Sequence, residues 1–259
     1  MAAHRPTRRE VRLTERDLRL LWFLSEHRLA LETHLQSLLG ASADATRTRV
    51  RSLARGGFVA HRRVFDGEPA VCQIRRPGLE AIGSRLPAPR LNLAFYAHDV
   101  GAAWLWLAAR GGSFGPMREV IGERVLRSHD GSADRDGEPY GVRLGGLGPR
   151  GQERLHYPDL LLVTPQGRRI AIELELTKKG RARREKILAG YGADSRIDAV
   201  LYLVEKPALR RAIEASAARV GVSDRVHVQY FRWADRKSGA ASSGRHRSIQ
   251  RPQQLGASR

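Results

Sequence analysis

Cysteine is almost missing from this chain: Cys72 is the only one in 259 residues, which excludes an internal disulfide and fits a reducing compartment. As a lone thiol in a predicted strand it reads as a small packed side chain rather than a nucleophile. No Cys/His spacing of the structural-zinc kind occurs. Long apolar runs are missing too. The longest uncharged one, Val100 to Ala109, is too short to span a bilayer, and the N-terminus has no signal-peptide apolar region. The expectation is a cytoplasmic protein with no membrane partner. Lysine is scarce: Lys178, Lys179, Lys186, Lys206 and Lys237 are all there are, so arginine supplies nearly all of the 46 basic residues. Set against 27 acids they leave a formal net charge of +19, which points to a polyanionic partner, DNA above all. No internal repeat is present.

The few acids are placed tellingly. Leu160 to Thr164 is apolar and ends at Pro165-Gln166-Gly167; Arg168 to Leu176 then alternates, with Ile170, Ile172, Leu174 and Leu176 on one face and Ala171, Glu173 and Glu175 on the other. A three-residue connection suits a type I turn closing with Gly167 in the left-handed region. That loop pairs Thr164 with Arg168, so paired numbers sum to 332 and Asp159 lies opposite Glu173, about 5 Å apart at Cβ. A loop one residue shorter or longer turns Asp159 to the wrong face. Carboxylates this close repel, and a hard divalent cation with oxygen ligands resolves the conflict. The alternative is a solvated strand face whose acids pair with Lys178, Lys179 or nearby arginines.

Pro158-Asp159 followed by Glu173-x-Glu175 on the next strand resembles the PD-(D/E)xK nuclease superfamily. The resemblance implies that Asp159 and Glu173 bind Mg²⁺ (or Mn²⁺); Glu175 stands where the family has lysine and is expected as a third ligand to one or two such ions. Lys178, Lys179 or Lys186 would then supply the positive charge. It also implies a further acid from an upstream element, Glu123, and a polar residue and a tyrosine on the following helix, Lys186 and Tyr191. The surrounding order suits such an α/β core: a helix over residues 94–110 with Phe95, Val100, Ala103 and Leu107 on one side, a strand from Arg118 to Arg127, the two motif strands, a helix from Arg181 to Tyr191, a strand from Ile197 to Val204, a helix from Ala208 to Val220 and a last strand from Val226 to Phe231.

The N-terminal third reads differently. Thr14-x-x-Asp17 resembles a capping box opening a helix to about His27, with Leu18, Leu21, Trp22 and Leu24 as its apolar side. A second helix, Leu31 to Leu39, stops at Gly40, and Ser42 caps a third that runs to Arg55 before Gly56-Gly57. On this third helix Thr46, Val50 and Leu53 share the core-facing side. Arg47, Arg51 and Arg55 line the other, with Thr48 and Ser52 beside them, and no acid follows Asp44. Phe58 to Val64 and Val71 to Arg75 read as a hairpin around Asp66-Gly67-Glu68-Pro69, carrying Arg62 and Arg63. Three helices and a two-stranded wing resemble a winged helix-turn-helix, in which the third helix enters the major groove while wing and arm contact phosphates.

The full arrangement is therefore an α/β chain (α+β overall): a disordered basic arm (1–12), a winged helix-turn-helix (13–86), a linker at Pro87-Ala88-Pro89 (87–93), a restriction-endonuclease-like α/β domain (94–234) with a long loop (128–153), and a disordered basic tail (235–259). Domain order and the strings His156-Tyr157-Pro158-Asp159, Glu173-Leu174-Glu175 and Tyr191 resemble the replication-relaxation family of actinobacterial plasmids and mobile elements. That resemblance implies DNA maintenance, with a replication protein or relaxase as further partner and a homodimer if the target is palindromic. Two readings stay open: a metal-dependent nuclease positioned on DNA, and a catalytically inactive nuclease fold serving as a regulator. Gly111-Gly112-Ser113-Phe114-Gly115 fits G-x-S-x-G but follows a helix, and Gly145-Gly146-Leu147-Gly148 lacks the Lys-Ser/Thr of a phosphate loop. His98-Asp99 reads as a polar contact, and His156 as a candidate substrate contact.

Overall fold

The structure, a computed structural model, describes residues 11–132, 137–148 and 151–231. The basic arm before Val11, the tail expected from Asp235 and parts of the expected 128–153 loop lie outside the described residues. The chain is mixed α/β and divides into two compact units between Leu107 and Ala108.

The N-terminal unit begins with helix α1 (Glu15–Glu26), opened by Thr14. The Thr14 N–H and hydroxyl both donate to Asp17 Oδ2 at 2.7 Å, the first of these being the reach-back bond of a capping box. A short strand β1 (Ala30–Leu31) runs into α2 (Glu32–Leu39), which Gly40 ends in the left-handed region at φ 58°. Helix α3 (Ala43–Arg55) is capped by Ser42, whose hydroxyl accepts from Ala45 N–H at 3.2 Å. Strands β2 (Val59–Arg62) and β3 (Val71–Ile74) form an antiparallel hairpin, and β1 adds to the far edge of β3. Helix α4 (Arg76–Ala81) follows, and a 3₁₀ turn (Leu93–Phe95) leads into α5 (Tyr96–Arg110).

The core of this unit joins Leu20, Leu21, Phe23 and Leu24 of α1 to Leu35, Val50, Leu53, Val59, Ile74 and Leu79. Trp22, expected inside, is 50% exposed, while Leu20 and Phe23 take its place. Consecutive apolar residues on α1 leave its 3.6-residue period ambiguous, and the wider contact arc of Leu20, Phe23 and Leu24 wins. Phe95 is likewise exposed, because it belongs to the 3₁₀ turn and not to the helix. Ala103, Trp106 and Leu107 of α5 pack into this same core, so the contact boundary falls beyond the proline-rich stretch at 87–89. His34 helps hold α5 here. Its Nδ1 accepts from Leu31 N–H at 2.8 Å, and its Nε2 therefore carries the proton and bonds Val100 O at 3.1 Å.

The C-terminal unit is built on a five-stranded mixed sheet. Its strands are β4 (Glu119–Gly122), β7 (Leu160–Val163), β8 (Arg169–Glu175), β9 (Ala199–Val204) and β10 (Val226–Tyr230), in the order β10-β9-β8-β7-β4. Strands β8, β9 and β10 run parallel; β7 pairs antiparallel with β8 and with β4. All six residues of β9 are buried, as expected for an inner parallel strand. Helices α7 (Arg181–Ala193) and α8 (Pro207–Arg219) supply Ile187, Leu188, Tyr191, Leu209 and Ile213 to a core shared with Leu161, Ala171, Val200 and Tyr202 of the sheet. Helix α6 (Glu123–Asp130) follows β4, and a separate hairpin joins β5 (Val142–Leu147) to β6 (Glu153–His156). Helix α7 approaches β5 closely: a Cβ on Gly190 would lie 2.9 Å from Arg143 O.

Two expectations are corrected here. The strand expected from Arg118 to Arg127 stops at Gly122, where its pairing with Leu160 ends, and Glu123 starts α6 instead. The i,i+4 pair Arg127–Glu123 (2.7 Å) and buried Leu126 suit a helix there. Within 128–153, Ser128–Asp130 complete α6 and 142–147 form β5, so the described part of that segment is not a structureless loop. Gly145 and Gly146, both at positive φ, break the alternation by which β5 would be recognised.

Candidate functional site

Two regions concentrate chemistry, one in each unit. In the N-terminal unit the buried side of α3 consists of Thr46, Val50 and Leu53, so Arg47, Thr48, Arg51 and Arg55 face outward. The outer start of α3, the first turn of α2 and the β2–β3 hairpin enclose a cleft of about 620 Å³ that Arg47, Arg51, Arg62 and Arg63 line together. Glu32 stands within it. Its Oε1 meets His61 Nε2 at 2.8 Å and its Oε2 lies 3.7 Å from Arg47 Nε, while Arg47 also meets Asp44 at 3.4 Å. Arg62 donates to Gln73 Oε1 at 3.0 Å, and Gln73 in turn donates to Arg28 O at 2.7 Å. Arg51, Arg55 and Arg63 are exposed and have no partner among the described residues. Arg49, on the flank of α3, is committed to buried Asp17 of α1.

In the C-terminal unit the register sums to 332: Leu160 pairs with Ile172, Leu161 with Ala171, Leu162 with Ile170 and Val163 with Arg169. The turn has the expected form, with Gly167 N–H donating to Thr164 O at 2.9 Å and Gly167 at φ 83°. Asp159 is the next position along β7. Its N–H donates to Ile172 O at 3.0 Å and its Oδ2 accepts from Leu174 N–H at 2.7 Å, so its side chain extends the ladder by one rung beside Glu173.

Glu173 and Glu175 are buried, at 3% and 4% exposure, so the strand face is not solvated, although Glu175 does pair with Lys179 as the alternative reading expects. Glu173 Oε1 accepts two bonds, from His156 Nε2 at 2.6 Å and from the Tyr191 hydroxyl at 2.5 Å. Burial alone pushes this carboxyl up, yet the His156 ring, the Lys179 ammonium and the Tyr191 hydroxyl together hold it below the usual range. Glu175 accepts from Lys179 Nζ at 2.5 Å; burial raises its pKa, and the ammonium offsets this only in part. Burial likewise lowers Lys179, but the facing Glu173 and Glu175 more than compensate and keep it protonated. Tyr191 is pushed far up by burial and by Glu173, so it stays an O–H donor. Arg184, itself buried, fixes the approach of Lys179 by donating to Lys179 O at 3.1 Å and to Ser216 Oγ at 2.9 Å.

Asp159, Glu173, Glu175, His156 and Tyr191 thus gather in one place, with Lys179 as the cation. Lys178 is exposed and Lys186 sits on α7; neither makes an ion pair among the described residues. Glu123 reaches the neighbourhood through its backbone, its N–H donating to Asp159 O at 3.1 Å, while its side chain pairs with Arg127. No group of three or more His, Cys, Asp or Glu is arranged to hold a metal ion among the described residues. The oxygen donors of Asp159 and Glu173 still suit a magnesium-type ion in kind, since Mg²⁺ commonly takes one or two protein carboxylates and completes its shell with water and phosphate. Arg184 is the one contributor with no sequence signal: a charged residue buried to brace a loop looks like any exposed arginine of a helix. No helix among the described residues is long and apolar enough to cross a membrane. Comparison of the chain with protein-family models and with curated proteins yields no match.

Proposed function

We propose that this protein binds DNA through its N-terminal unit, read as a winged helix-turn-helix, and brings a PD-(D/E)xK-like centre to a phosphodiester. The observation that carries the reading is that exposed Arg51 and Arg63 of the arginine-lined cleft, and exposed Arg55 further along α3, have no partner among the described residues. Guanidinium groups left without internal acceptors are matched by phosphates and by base edges. For the second unit the support is the register that sets Asp159 beside Glu173, together with a lysine at the cluster.

In this reading Asp159 and Glu173 would hold Mg²⁺, which would supply Lewis acidity and lower the pKa of attacking water. The chain's own residues set the stage for it. His156 and Tyr191 both engage Glu173 Oε1, fixing the plane of the carboxylate that would hold the ion. Lys179, braced by Arg184 and paired with Glu175, would provide the positive charge for which position 175 holds Glu. The biological setting we propose is plasmid or mobile-element DNA replication or maintenance, as in the replication-relaxation family.

Incubation with supercoiled plasmid, with and without Mg²⁺ or Mn²⁺, tests the reading. We expect metal-dependent nicking or linearisation, abolished in Asp159→Ala while DNA affinity stays nearly intact; undiminished cleavage by that variant sinks the assignment. A second reading, a DNA-binding regulator with an inactive nuclease fold, draws on the Lys179–Glu175 ion pair, which already neutralises one of the three acids. Band shifts without cleavage in either metal decide for it.

A further inference from the structure

The arginines that line the N-terminal cleft fall into two kinds. Arg51 and Arg63 have no partner among the described residues, whereas Arg47 is held by Glu32 at 3.7 Å and by Asp44 at 3.4 Å. Glu32 occupies a special place. It is the first residue of α2, its N–H donates at 3.1 Å to Ala70 O, just before β3 at the loop end of the hairpin, and its side chain is only 15% exposed. One carboxylate oxygen takes His61 of β2 and the other takes Arg47 of α3. A single acid therefore ties the hairpin to the outward helix from a position inside a cationic cleft.

We infer that Glu32 is a clasp and a positioning residue of the proposed DNA interface. It withholds Arg47 from phosphate and fixes the hairpin against α3, so that Arg51, Arg55 and Arg63 make the charged contacts. The inference rests on the DNA-binding reading and deepens it. An unclasped Arg47 is one more mobile cation, and it adds sequence-independent affinity at the cost of a fixed register. The acid thus restrains indiscriminate binding.

The test is the salt dependence of binding to a random-sequence 20-base-pair duplex, measured by fluorescence anisotropy with the full chain. Each phosphate contact contributes about 0.9 to the slope of log K against log salt. Glu32→Gln is expected to bind several-fold tighter at low salt with a slope steeper by about 0.9. Glu32→Asp is expected to keep the wild-type slope, and Glu32→Gln combined with Arg47→Gln to return to it. A residue that merely supports the fold changes the melting temperature and leaves the slope alone. An unchanged or shallower slope in Glu32→Gln overturns the clasp while the DNA reading stands. Failure of the wild-type chain to bind the duplex at low salt overturns both, and is recognised because it needs no variant.

Discussion

On the N-terminal unit Arg51, Arg55 and Arg63 are exposed with no partner among the described residues, whereas on the C-terminal unit Glu173 and Glu175 are nearly sealed and each is met by a named donor. An exposed guanidinium costs the fold almost nothing, so it can be kept for an outside partner. A buried carboxylate is tolerated only with its counter-groups built in around it. The first region supports the proposed interface by what is unsatisfied, and the second the proposed site by the effort of satisfaction. Arg47 and Arg62 lie between the two cases: on the cleft, but already engaged.

Removing the partner of a sealed group is the strongest way to break this contrast. Glu173→Ala strips His156 and Tyr191 of their shared acceptor and removes one of the two carboxylates that face Lys179, and urea unfolding should report a loss of about 3–5 kcal/mol. A loss under about 1 kcal/mol would mean the cluster is not dry.

The N-terminal unit holds a sealed group of its own, His34, whose pKa burial drives down from 6.5 to about 3 despite its bonds to Val100 and Leu31. The unfolded chain takes up a proton below pH 6.5 that the folded one refuses until pH 3. Stability should therefore fall by about 1.4 kcal/mol per pH unit across that window as the pH drops, and the contribution is fully present above it. Urea titrations over the window, compared with His34→Gln, check this; an equal slope in both proteins removes His34 as the cause. Next in size, Tyr191→Phe deletes one bond to an ionised acceptor and should cost about 1.5–3 kcal/mol by chemical denaturation.

The smallest effect on the fold is expected where the contrast is purest. Replacing Arg51, Arg55 and Arg63 together by Gln should shift stability by no more than about 0.5 kcal/mol. Duplex affinity should drop steeply, with the salt slope reduced by about 2.7. A large stability change in that triple variant would show these side chains to be internal supports after all.

How much of this was readable in advance depended on local rules. The 332 register follows from Pro165-Gln166-Gly167 and from strict alternation, both set by neighbours in sequence, and the structure has that register. The burial of Thr46, Val50 and Leu53 follows in the same way from helical period. The two-residue strand β1 has no period to read, and β5 is masked by adjacent glycines. Glu123 was misassigned because nothing in Val120-Ile121-Gly122 announces where the partner strand gives out. The choice among Lys178, Lys179 and Lys186 was open for a related reason. Regular structure breaks off between Glu175 and Arg181, and the stretch that carries Lys178 and Lys179 is tied down by the bond from Arg184 of α7 to Lys179 O.

Gly190 carries no functional group, yet it sets the clearance between α7 and Arg143 O on β5, and the next residue along is Tyr191. A methyl group there would lift the helix and draw the Tyr191 hydroxyl away from Glu173. The acidity of a sealed carboxylate is thus adjustable from a position that chemistry would never single out, by spacing alone.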